Sequence, residues 1–118
     1  MDEGRPIFLQ VAERIESDIL DGVMAEETQV PSINELAAFY RINPATALKG
    51  INLLVDAGVL YKRRGIGMFV TQGARAQLLT RRRADFQEEY VRPVAVRAHS
   101  LGFSSEQLTQ MIREEMGQ

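Results

Sequence analysis

At 118 residues, with 16 acidic against 14 basic side chains, the chain has room for one ordinary domain and an appendage, and its length suffices to bury roughly two-thirds of the unfolded surface. It contains no cysteine, which excludes a disulfide framework and a thiolate metal site. No apolar stretch approaches the ~20 residues of a membrane-spanning helix, and Asp2 and Glu3 without an apolar run behind them do not make a secretory signal, so a cytoplasmic protein with no membrane partner is expected.

Phe8, Val11, Ile15, Ile19 and Val23 recur at spacings of three and four, which predicts an amphipathic first helix with Glu13, Arg14, Glu16 and Asp21 largely off the apolar stripe. Gly22 and the turn toward Pro31 end it, and Glu26-Glu27-Thr28-Gln29 reads as a solvated loop. Ser32-Ile33-Asn34-Glu35 fits a capping box, in which Ser32 and Glu35 satisfy each other's end of a helix start. A short helix follows, with Ile33, Leu36, Ala37 and Tyr40 on its buried stripe and Arg41 at the tight position of the turn.

Asn43 then offers a side-chain oxygen to the unpaired amides of another helix start, and Pro44 at the first helical position loses no hydrogen bond. Ala47, Leu48, Ile51, Leu54 and Val55 fall on one stripe, Ala45, Thr46, Lys49, Asn52 and Asp56 face the other way, and Gly58 stops the helix. Two short helices with so tight a joint predict a helix-turn-helix. The positive end of the second helix favours a phosphate close to its small leading residues, Ala45 and Thr46.

Val59-Leu60-Tyr61-Lys62 and Met68-Phe69-Val70-Thr71 are β-prone runs separated by a glycine-containing turn, a hairpin signal. Directly after a helix-turn-helix such a hairpin is a wing. Arg63 and Arg64 lie at its turn, and Gly65 and Gly67 permit close backbone approach to a groove or phosphate.

In the remaining segment Leu79, Phe86, Tyr90, Val94 and Leu101 recur at roughly helical spacing, interrupted by Pro93, which predicts a long helix that kinks or restarts there. Ser104-Ser105-Glu106-Gln107 opens a last helix with Leu108, Met111, Ile112 and Met116 on its stripe. Two helices cannot easily bury both apolar faces alone, whereas pairing with a second copy would give a closed twofold dimer. The expected fold is therefore mainly α with a small β-hairpin: a winged helix-turn-helix over residues 1–73, then a two-helix C-terminal dimerisation region over 74–118. The dimer interface is expected at Leu79, Phe86, Tyr90, Val94, Leu101, Leu108, Met111 and Ile112.

A small net negative charge sounds wrong for a nucleic-acid binder, but its distribution is uneven. Residues 1–40 carry two basic groups against nine acidic ones, a balance of −7, whereas residues 41–64 carry five against one, a balance of +4. Positive charge is thus concentrated on the proposed reading helix and wing.

The order Pro6-Ile7-Phe8-x-Gln10-Val11, Gly22, Val30-Pro31-Ser32-x-x-x-Leu36-Ala37, Asn43-Pro44-x-Thr46, Leu54, Gly58 and Arg64-Gly65-x-Gly67-x-Phe69-Val70 resembles the GntR superfamily of bacterial transcriptional regulators. Asn-Pro before the threonine and Arg-Gly-x-Gly in the wing resemble its YtrA-like subfamily in particular. The resemblance covers residues 6–70 closely and implies a homodimeric repressor that binds double-stranded DNA at an inverted repeat. It also implies roles for particular residues. Ser32 and the helix start at Asn34 would meet phosphate. Asn43, Thr46 and Lys49, on the helix that Pro44 and Ala45 begin, would meet bases or phosphates. Arg64, Gly65 and Gly67, with Arg63 beside them, would form the wing contact. Two departures stand out: Asn34 occupies a position where many members have arginine, and Glu27 replaces a loop glycine.

Other readings are weaker. A winged-helix module that binds proteins without sequence-specific DNA binding would keep the fold without needing the basic segment. An enzyme would need a reactive constellation, and the sequence shows no nucleophile paired with a base, no phosphate-binding loop and no paired-histidine motif. No cofactor is expected. His99 stands without a ligand pattern around it, and Arg81-Arg82-Arg83 reads as a solvated face more readily than as a second DNA contact. A tail of this size leaves room for an unidentified small-molecule effector only between paired helices.

Overall fold

In the computed structural model, which describes residues 4–118, the apolar periodicity from Phe8 becomes helix α1, Ile7–Leu20, with Val11, Ile15 and Ile19 buried. Asp2 and Glu3 lie outside the described residues. The stripe is wider and shorter than its periodicity predicts. Ala12 and Glu16, one turn apart, are also buried, so Glu16 belongs to the packed side of the helix. Val23 does not: the helix ends at Leu20, Asp21 caps it, and Val23 is 73% exposed beyond Gly22.

Helix α2, Ile33–Tyr40, starts with the capping box in place: the Glu35 N–H donates to Ser32 Oγ at 3.1 Å and the Ser32 N–H donates to Glu35 Oε1 at 3.1 Å. It ends at Arg41, whose φ of 56° and ψ of 51° are the left-handed conformation that turns the chain tightly toward the next helix. Helix α3, Pro44–Asp56, follows from the Asn43 cap. It packs against both α1 and α2, and its buried line is Ala47, Gly50, Ile51 and Leu54. Leu48 is not on that line. The buried phase runs through Gly50, where α3 lies against the Phe8 carbonyl oxygen and Val11, and Leu48 is rotated to the edge with 43% exposure.

Strands β1, Leu60–Arg63, and β2, Gly67–Val70, form an antiparallel hairpin in the register Leu60–Val70, Tyr61–Phe69, Lys62–Met68 and Arg63–Gly67. Residues Glu26–Gln29 are largely exposed, as their polarity suggests, but they are tied to the hairpin. Gln29 bridges to Phe69 on the outer side of β2, the Glu27 N–H donates to Val70 O, the Val30 N–H to Met68 O, and the Val70 N–H to Thr28 O. The hairpin therefore has a short third partner, which fixes it to the segment leading into α2. Glu26 is equally engaged: its carboxylate accepts from the Gly73 and Arg75 N–H groups at 2.7 and 3.1 Å and caps the next helix. Those two backbone donors, ahead of the Arg75 charge, hold its carboxyl below the ordinary value.

Helix α4, Ala74–Phe86, begins inside the same unit as the helix-turn-helix and hairpin. Ala74 and Leu78 are fully buried in one cluster with Val11, Ile15, Ile51, Val59, Leu60 and Val70. That unit therefore runs to Thr80, further than a boundary after residue 73.

The second unit, Arg81–Gln118, continues α4 into one π-helical turn, Gln87–Val91, followed by helices α5, Arg92–Ser100, and α6, Ser105–Glu115. The interruption expected at Pro93 takes this form: the Arg92 N–H reaches back five residues to Gln87 O, and Pro93 falls in the first turn of α5, where its missing donor costs little. Ser104 and Gln107 form the second capping box, with both bonds present. Among its described residues only Ala98 is buried. Phe86, Tyr90, Val94, Leu101, Met111 and Ile112 are all exposed, Phe86 and Tyr90 lying ring to ring with centroids 5.5 Å apart. Leu108 is half-buried, and Leu79, in the first unit, is 36% exposed.

Candidate nucleic-acid interface

The residues expected to meet DNA fall on three stretches of the first unit: the start of α2, the start of α3 and the hairpin turn. At the start of α2, the Ser32 hydroxyl oxygen accepts the Glu35 amide at 3.1 Å, and the same hydroxyl bonds the Glu35 carboxylate. Asn34 is exposed in the first turn. Glu35 carries the only charge of that turn, and the Ser32 backbone and hydroxyl bonds hold its carboxyl below the ordinary value. This helix start carries no cation: Asn34 offers an uncharged amide, and the one charge of the turn is the Glu35 carboxylate.

At the start of α3, Asn43 Oδ1 accepts from the Ala45 N–H at 2.8 Å, so the cap uses the amide oxygen and leaves the amide N–H groups to donate. Pro44 and Ala45 are exposed and small, and Thr46 is half-buried behind them. One turn on, the exposed Lys49 extends its ammonium over the Phe8 ring, 4.1 Å from the centroid. A cation held against an aromatic face is attracted by the ring quadrupole and remains partly hydrated. Phe8 thus positions the one lysine of the helix, a role that its apolar spacing alone does not reveal.

The hairpin turn carries Arg63, Arg64 and Gly65, all exposed. The Ile66 N–H donates to Arg63 O at 2.9 Å, and Gly65, at φ 79°, supplies the left-handed third position that such a turn needs. Behind the tip, Arg63 lies over the Phe69 ring at 5.1 Å and Tyr61 stacks on the same ring at 5.8 Å. The Tyr61 hydroxyl donates to Glu27 at 2.9 Å, and that bond, ahead of burial, raises its pKa. Glu27 itself sits at φ 65°, so this chain keeps an acidic residue at a left-handed position that favours glycine. Gln29 donates from Nε2 to Ile66 O at 2.9 Å. Sequence reasoning places Tyr61 in the hairpin but misses Glu27 and Gln29 as its partners, because the β-prone run Thr28–Val30 is too short to read as a strand.

Among the described residues no group of three or more His, Cys, Asp or Glu side chains could hold a metal ion, and His99 is exposed near the end of α5. No helix among them is long and apolar enough to cross a membrane.

Two helices joined by a left-handed turn, the second capped by Asn43 and followed at once by a pinned basic hairpin, define a winged helix-turn-helix, the architecture of sequence-specific DNA-binding regulators. The family model for bacterial regulatory proteins of the gntR family matches residues 8–70, more than half of the chain, and the chain belongs to that family. It is 28% identical over 109 residues to the HTH-type transcriptional repressor YtrA of Bacillus subtilis (strain 168), covering 92% of this chain and 83% of that one. It is 31% identical over 74 residues to the HTH-type transcriptional repressor NagR of the same organism, of which it spans only 30%. A crystal structure of a GntR-family transcriptional regulator from Bacteroides thetaiotaomicron superposes with a TM-score of 0.81 at 34% identity, covering 94% of this chain and 96% of that one. The DNA-binding domain of AraR, solved in complex with operator ORX1, matches 60% of this chain and 87% of its own at 35% identity and a TM-score of 0.55.

Proposed function

We propose that the chain is a transcriptional repressor that binds an inverted-repeat operator as a homodimer. The observation that carries this reading is the coincidence of geometry and charge. The five basic residues behind the +4 balance, Arg41 in the turn before α3, Lys49 on α3, and Lys62, Arg63 and Arg64 on the hairpin, are all exposed, in a chain whose total is −2. Asn43, Thr46 and Lys49 would read bases or phosphates from α3, with Pro44 and Ala45 letting the helix end approach closely. Arg63, Arg64, Gly65 and Gly67 would place the wing against the duplex. Ser32 and Asn34 would meet a phosphate without charge, so affinity rests more on α3 and the wing than on α2. The repressors YtrA and NagR among the relatives, and the operator complexes of AraR, support both the target and the sign of regulation.

Dimerisation is assigned to the second unit together with Leu79. A unit with a single buried residue exposes Phe86, Tyr90, Val94, Leu101, Met111 and Ile112 to water, and Leu108 in part, and a second copy would cover them. The dimer would set two α3 helices about one helical turn of DNA apart, ~10 base pairs, or a multiple of that. Repression follows by occlusion of a promoter, in the cytoplasm where the DNA is, and a small-molecule effector between the paired helices could change the spacing of the two DNA-reading units.

A gel shift at two salt concentrations tests the reading against a protein-only module. Binding should fall steeply with salt, because each neutralised phosphate releases counterions, and Lys49→Ala and Arg64→Ala should each weaken it while the protein stays folded. Unchanged affinity in both variants would remove the proposed reading face.

A further inference from the structure

We propose that Gln29 is a positioning residue for the wing: its side chain and the space above Gly67 form a latch that sets the angle at which Arg64 meets DNA. The inference rests on the reading of the hairpin turn as a DNA contact.

The geometry begins with the backbone. Gln29 bridges to Phe69 on the free side of β2, so its side chain starts level with Phe69 and shares that residue's face of the hairpin. Two residues nearer the tip on that face stands Gly67. A Cβ built there would lie 2.6 Å from Gln29 Nε2, closer than real Cβ atoms come to any neighbour. The missing side chain is therefore what allows the Gln29 amide to run along the hairpin and donate to Ile66 O at 2.9 Å, in the turn itself. Gly67 also sits at φ 145°, which an L side chain rarely adopts, so the backbone favours glycine, and the Gln29–Ile66 bond uses the space that glycine leaves.

A two-stranded hairpin is marginal as an isolated element and swings about its base. Here the base is held by the backbone bonds of Glu27, Val30 and Val70, and by Tyr61 on Glu27. Gln29 is the side chain that carries this attachment past the strands to the tip. The segment holding Gln29 runs directly into Ser32 and α2, so the latch ties the wing to the same polypeptide stretch that presents the α2 donors. A tip held at a fixed angle loses less freedom on binding than a swinging one, and that difference appears as affinity.

The test is a double-mutant cycle on an operator duplex selected by the intact chain from a random-sequence pool. Gln29 is exposed, so Gln29→Ala should stay folded, its thermal midpoint falling by no more than the several degrees that one hydrogen bond accounts for. It should weaken operator binding by about two- to tenfold, the range of one hydrogen bond. Gly67→Ala should weaken binding at least as much. In an Arg64→Ala background, Gln29→Ala should cost almost nothing further, because the contact it positions is gone. Multiplicative losses in the double variant, or full affinity in Gln29→Ala beside a weakened Arg64→Ala, would overturn the latch while leaving the wing contact standing. Full affinity in Arg64→Ala itself would overturn the wing contact and the latch with it.

Discussion

Gly50 sets how closely the reading helix approaches the rest of the domain, and replacing it tests the packing directly. An alanine Cβ at this position would lie 2.8 Å from the Phe8 carbonyl oxygen and 3.3 Å from Val11 Cβ and Cγ1. The first neighbour is backbone of α1, so no flexible side chain can swing aside, and α3 must move or α1 must distort. Overpacking of this kind costs about 1–3 kcal/mol. Against it stands the gain from removing a glycine from a helix interior, about 1 kcal/mol. Because the clash is with backbone, the upper part of the steric range applies, and Gly50→Ala should be destabilised by about 1–2 kcal/mol. Each kcal/mol lowers the melting temperature of a domain this size by about 4–8 °C. Thermal denaturation at fixed protomer concentration measures it. Asn52→Ala, on the exposed side of the same helix, isolates the propensity gain and should be neutral or slightly stabilised. A Gly50→Ala protein as stable as its parent would refute the close α1–α3 packing.

Arg41→Gly should act in the opposite direction. Arg41 is exposed in the left-handed conformation at the end of α2, where a Cβ costs roughly 1–2 kcal/mol and glycine costs nothing, so after the entropy of the glycine the variant should gain about 0.5–1 kcal/mol in chemical denaturation. A loss of stability would place a side-chain interaction of Arg41 above its backbone strain. Glu26 and Glu35 are both held below the ordinary carboxyl value near 4.5 by backbone donors. Their stabilisation is complete above that value and is lost as pH falls through the lowered folded values. Glu26→Gln and Glu35→Gln should therefore be less stable than the parent at pH 7, with the difference closing as pH falls below the ordinary value and through the lowered folded ones. A difference that stays constant from pH 7 to pH 3 would show that neither carboxylate bond contributes through its charge.

The helix-turn-helix is legible in the sequence because its signals are local. Ser32 with Glu35, Asn43 with Pro44, and the stripe of Ala47, Ile51 and Leu54 each act within a few residues, and the structure forms each of them. What the sequence hides depends on other parts of the chain. Gly50 looks like a weak helix residue until α1 is laid against it, and Leu48 looks buried until that contact sets the phase of α3. Glu26–Gln29 looks like loop because its hydrogen-bonding partners Ile66, Val70, Gly73 and Arg75 lie more than 35 residues away. The π-helical turn before Pro93 has no compositional signature, since it arises from inserting one residue per turn rather than from a residue type. The residues proposed to face DNA are chosen by type and position, whereas Phe8 beneath Lys49 and Gln29 behind the wing become visible only in three dimensions.

Fluorescence anisotropy of the intact chain on a selected inverted-repeat duplex, with a scrambled duplex as competitor and salt varied, bears most directly on the DNA-reading face. Saturation at two protomers per duplex is expected, with log affinity falling linearly with log salt and a shallower slope in Lys49→Ala and Arg64→Ala. Equal affinity for the scrambled duplex, or a salt slope untouched by both substitutions, would contradict it.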